Sequence, residues 1–162
     1  MTTVFKHFLE KFPEVTPPIT LSDDTHHAFS LENKPLTEKM IEEFITRFEP
    51  KVIDEFTEYV PCFRLPKRNN MVTLVFWKAS LLSYDYIIAT YNDKTSAMID
   101  KKVIAGTKVL DDKTVKRTVA IIGEDFSVTS AEGVEVNNTF DADSSKPRRY
   151  FVTEDGFIEQ EY

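Results

Sequence analysis

The sequence predicts an α+β domain whose N-terminal helices pack on a curved antiparallel meander of about seven strands. Two observations predict it. Apolar residues recur at helical spacing within residues 1–60, and from Met71 onward the chain breaks into β-rich runs separated by turn clusters. A length of 162 residues suits one folding unit, so residues 1–162 are taken as a single domain with a helical front at 1–60 and a sheet at 61–162.

Val4, Phe5, Phe8, Leu9 and Phe12 form the stripe of a first amphipathic helix, which Pro13 ends. Residues 13–35, with Pro17, Pro18 and Pro35, read as an irregular crossing with one short strand near residues 19–21. A second helix has Thr37 as its N-cap, and Leu36 and Ile41 flank that cap as a hydrophobic staple. Met40, Ile41, Phe44, Ile45 and Phe48 supply its buried stripe. After Pro50, Val52, Ile53, Phe56, Tyr59 and Val60 continue a helical period as far as Pro61.

Strands are expected near residues 71–79, 84–91, 97–104, 115–122, 126–131, 149–153 and 157–161. Asp155-Gly156 reads as a type I′ hairpin turn, and the polar stretch 137–147 as a loop. The layout around Phe12-Pro13, Tyr84-Asp85-Tyr86, Ala89-Thr90-Tyr91, Ile99-Asp100 and Ile104-Ala105-Gly106-Thr107 resembles a group of bacterial single-domain α+β proteins with no assigned function. That resemblance covers most of the chain and implies no site residues.

The net charge of −7 argues against nucleic acid, because duplexes are held by clustered Lys and Arg. Residues 1–60 carry 6 basic and 12 acidic side chains, and residues 61–162 carry 14 and 15. Neighbours such as Lys116-Arg117 and Arg148-Arg149 point to opposite faces of a strand, so neither pair makes a patch. A single cysteine, Cys62, excludes an internal disulfide, and no run of about 18 apolar residues occurs. These features place the chain in the cytoplasm, away from membranes.

The most ligand-like segment is 23–27, where Asp24 and His26 would share a face of an extended chain. Two ligands fall short of a metal site, so a solvated acidic loop is the stronger interpretation and no metal or cofactor is expected. Cys62 with His7, His26 or His27 could supply a nucleophile and base, yet its apolar setting favours a buried thiol. The acidic pairs at 111–112, 124–125 and 154–155 fall where turns are expected, and the 141–145 segment lacks the Gly and closing Glu of a calcium loop. No phosphate-cradling glycine loop and no G-x-S-x-G elbow is present.

The runs Met71 to Trp77 and Tyr84 to Tyr91 are apolar on both faces, whereas a half-wet antiparallel strand alternates. Something must cover the second face. If helices and crossing leave part of it open, Trp77, Tyr84, Tyr86 and Tyr91 form an aromatic binding patch that a basic protein partner, or a second copy of the chain, would meet. The favoured expectation is therefore a non-enzymatic interaction module. The rival is a small-molecule-binding protein or hydrolase with a pocket between helices and sheet.

Overall fold

The computed structural model describes residues 2–22, 25–49 and 56–161. Helix α1 spans Thr3–Glu10 and begins where the Thr2 hydroxyl accepts the Phe5 N–H at 3.2 Å. Strand β1 (Ile19–Leu21) and helix α2 (Thr25–Glu32) follow. Helix α3 (Glu38–Phe44) starts at the expected cap, with the Thr37 hydroxyl accepting the Met40 N–H at 3.2 Å, and a 3-10 turn at Thr46–Phe48 extends it. Strands β2 (Glu58–Arg64), β3 (Met71–Ala79), β4 (Ser83–Asn92), β5 (Met98–Val109), β6 (Thr114–Ile122), β7 (Ser127–Val136), β8 (Thr139–Val152) and β9 (Ile158–Glu161) complete the chain.

Strands β2 to β9 pair in sequence order, each antiparallel to the next, and β1 joins the sheet beside β6. The α+β class and the antiparallel meander match the expectation. The count does not: nine strands occur among the described residues, and the helices are short.

The two-faced apolar strands are covered within the chain. On one face of β3 and β4, Val72, Leu74, Phe76, Ile87, Ala89 and Tyr91 meet Phe5, Phe8, Leu9, Phe12, Phe44 and Ile45. Phe8 sits at the centre of that layer, 4.7 Å from the Phe44 ring, 5.0 Å from Phe12 and 5.9 Å from Tyr91. On the other face, Val75, Trp77, Tyr86 and Ile88 share a core with Ala120, Ile122, Val128, Tyr150 and Val152 of β6–β8 and with Leu21 of β1. Partly buried Val15, Ile19 and Phe29 pack on this core from residues 13–35.

Several local expectations are corrected. Tyr59 and Val60 lie in strand β2, not in a continued helix; Val52 and Ile53 lie outside the described residues. Pro61, expected to stop a helix, is tolerated in β2 because this is an edge strand with a register shift between Pro61 and Phe63. Helix α2 stands where an irregular crossing was expected: its apolar stripe is weak, since Phe29 packs inward and Leu31 is exposed. Residues 139–147 belong to β8, which turns out of β7 through Asn137 and Asn138, both at positive φ as a type I′ turn requires. At 153–157 only Gly156 has positive φ, and its N–H donates to Thr153 O at 3.0 Å, so Glu154 and Asp155 form a type I turn closed by a glycine bulge.

Candidate functional site

The site arises from a split in the sheet. Strand β5 pairs with β4 along most of its length, but with β6 only through residues 106–109. Beyond Thr118, β6 takes β1 as its neighbour at Ala120, Ile121 and Ile122. Residues 98–105 of β5 therefore have no strand on their second side among the described residues. The departure occurs at Gly106, whose φ of +147° is open to glycine alone, and where a Cβ would collide with the Tyr84 carbonyl oxygen. Just before it, the β4–β5 register shifts between Tyr86 and Ile87, leaving Ile104 as the extra residue of a bulge.

This split opens a groove of about 590 Å³ between β3–β5 on one side and β6–β8 on the other. Its lining includes small or short side chains, among them Ala105, Gly106, Thr118 and Ser130. Six cations line it, namely Lys78, Lys101, Lys102, Lys108, Lys116 and Arg148, against three carboxylates, Glu49, Asp85 and Glu132.

Glu49 forms ion pairs with both Lys101 (3.0 Å) and Lys78 (3.6 Å), and Glu132 with Lys116 (3.2 Å). Lys102 instead places its ammonium 5.2 Å from the centre of the Tyr150 ring, a cation–π contact that orients it without neutralising it. Lys108 and Arg148 have no carboxylate within salt-bridge distance among the described residues. Burial pushes the Asp85 carboxyl upward in pKa; the Ser83 hydroxyl and the charges of Lys78, Lys108 and Lys116 oppose that rise. The groove thus carries an excess of positive charge in a chain that is negative overall.

The aromatic residues expected at a binding surface lie mostly inside. Trp77 and Tyr84 stack at 5.6 Å with 10° between their planes, and only Tyr84, at 41% exposure, stands open. Tyr86 is buried, with its hydroxyl 2.6 Å from Thr25 Oγ1 and donating to Ser22 O at 3.2 Å. Tyr91 is buried and donates to Phe44 O at 2.5 Å, and burial pushes its phenol up in pKa. These phenols tie Ser22, Thr25 and Phe44 to the sheet, so no open patch joins Tyr84, Tyr86 and Tyr91. The space between helices and sheet, expected to hold a pocket, is filled by phenylalanine rings.

Asp24 and the His26 side chain lie outside the described residues, and no group of three or more metal-ligating side chains occurs among those described. Cys62 is buried, which pushes its thiol up in pKa and away from nucleophilic use. His7 lies elsewhere, on the exposed side of α1. Asp111 accepts the N–H groups of Lys113 (2.9 Å) and Thr114 (2.8 Å), while Asp125 accepts from Ser127, and these bonds lower both carboxyl pKa values. They shape turns. No helix among the described residues is long and apolar enough to cross a membrane.

The groove cations escaped the sequence because they are spread over seventy-odd positions without a motif. Their only trace is the doublets: Lys116 and Arg148 face the groove, while their neighbours Arg117 and Arg149 pair with Glu135 (3.1 Å) and Glu161 (3.4 Å). Each doublet divides between two faces, as strand geometry demands. One member of each then meets the others through the fold. Comparison with protein-family models, with curated proteins and with solved structures finds no match to this chain.

Proposed function

We propose that the protein is a non-enzymatic interaction module that holds an acidic partner protein in the groove between β5 and β6–β8. One observation carries this reading: six cations to three carboxylates gather in one concavity of a chain whose net charge is −7. A curved sheet, in which β6–β8 share a core with β3 and β4, gives the groove its two walls. Partially desolvated charges on a fixed scaffold attract opposite charge more strongly than the same residues scattered in water. The acidic remainder of the surface repels the same partner elsewhere, which favours this one docking site.

The aromatic patch and basic partner expected from the sequence give way to a polar, cationic surface and an acidic partner. A hydrolase lacks equal support, because the carboxylates Glu49 and Glu132 are engaged by lysines.

The test uses labelled poly-L-glutamate as a generic acidic probe, followed by fluorescence anisotropy at low and physiological salt. Binding should weaken as salt is added, since screening shortens electrostatic reach to about 8 Å at physiological ionic strength. The double variant Lys102→Glu, Arg148→Glu should lose at least about tenfold in affinity. Equal binding by wild type and this variant would refute the assignment.

A further inference from the structure

We infer that the acidic partner enters as an added β-strand: an extended, Asp- and Glu-rich segment of another protein pairs with the open edge of β5 at residues 101–103. This rests on the groove being a site for an acidic partner, and adds how that partner is held.

An edge strand presents a row of backbone donors and acceptors that another strand can use. In β5 this row is bounded at both ends. At one end, the Lys101 N–H donates to Asp100 Oδ1 at 2.8 Å, while Asp100 Oδ2 accepts the Ile158 N–H at 2.8 Å. At the other, Gly106 pairs with Thr118 and the sheet closes. Ile104 and Ala105, at the bulge before Gly106, are buried, so the accessible stretch is residues 101–103, about 10 Å of strand.

The direction of the backbone groups follows from the same bond. Lys101 turns its N–H toward the Asp100 carboxylate and not toward β4, and the groups of an antiparallel ladder alternate by two residues. Val103 accordingly turns its N–H and C=O away from β4 as well. Its side chain is half exposed, and it lines the groove.

Charge selects which strand fits. Lysines on an edge are a common defence against unwanted pairing, and Lys101 and Lys102 serve that end against neutral and basic strands. An acidic strand meets attraction instead, from Lys102, Lys108 and Arg148, none of which has a carboxylate partner among the described residues. Alternate side chains of such a strand point to opposite faces, so Glu or Asp at every second position would face the cations together. Single-stranded nucleic acid fits less well, since it needs open aromatic rings for stacking, and Tyr150 is buried beneath Lys102.

The probe is a labelled peptide of about seven residues alternating Glu and Thr, together with a twin N-methylated on the amides of one edge. Methylation removes backbone donors and leaves charge and the protein untouched, so folding of a variant is not at issue. Strand addition requires that the peptide bind, that the Val103 amide gain protection from hydrogen exchange, and that the twin bind at least about tenfold more weakly, the cost of a few lost hydrogen bonds. A twin that binds equally, with Val103 unprotected, overturns strand addition while leaving a purely electrostatic site for acidic partners. Oligothymidylate bound more tightly than the peptide overturns the protein partner itself. Failure of every anionic probe removes both.

Discussion

Replacing Phe8 with alanine should separate the helical layer from the sheet more sharply than any other single truncation there. Phe8 has no exposed surface and touches the rings of Phe5, Phe12, Phe44 and Tyr91. Burying roughly 150 Å² of aromatic surface at about 25 cal/mol/Å² stabilises by about 4 kcal/mol. That lies within the range of about 3–5 kcal/mol for emptying a buried Phe site. Collapse of the site is limited, because its neighbours are themselves rings fixed on α1, α3 and β4. Helix α1 has only eight residues and cannot hold its shape without docking, so local propensity offers no compensation. With a urea slope of about 2 kcal/mol/M, the denaturation midpoint should fall by about 2 M. Leu31→Ala, at an 85% exposed position, serves as the control and should change stability by less than about 0.5 kcal/mol. A Phe8→Ala midpoint within about 0.5 M of wild type would show that the helices do not dock as described.

Two further outcomes follow from individual groups. Tyr91→Phe should cost about 1–3 kcal/mol in chemical denaturation, because the Phe44 carbonyl loses its buried donor while the ring packing stays; an unchanged midpoint would mean that another donor replaces it. Asp85 has a carboxyl pKa raised above its ordinary 3.8, so the folded state holds that proton more tightly than the unfolded chain and stability falls as pH rises from 3.8 through the raised value. Asp85→Asn removes this loss: the variant should melt above wild type at neutral pH, with the gain vanishing in scans below about pH 4. A gain that persisted unchanged at acid pH would assign it to packing and not to charge.

Elements with a strong local pattern were legible in the sequence. The α1 stripe of Phe5, Phe8 and Leu9, the Thr37 cap and the β3 and β4 runs each announce themselves within a dozen residues, because spacing and capping act locally. The antiparallel meander follows from short turns. What failed were segments whose state depends on distant partners. Tyr59 and Val60 suit a helix or a strand, and the pairing of β2 with β3 decides for the strand. The polar 139–147 stretch carries no apolar alternation, yet β7 pairs with residues 139–141 and 146–147 of it.

By itself, the sequence determined an antiparallel α+β fold with two apolar faces to cover, and it marked Thr37 as a fixed point. Tertiary structure alone decided which groups cover those faces and where charge collects. Lys102, Lys116 and Arg148 are far apart in the chain and become neighbours only because β5 leaves β6 at Gly106 and β6–β8 come round to share a core with β3 and β4. The physical reason is one of range: hydrogen-bond capping and apolar periodicity are fixed by residues a few positions apart, whereas an electrostatic site is a sum over side chains that only the folded backbone brings within a Debye length of one another.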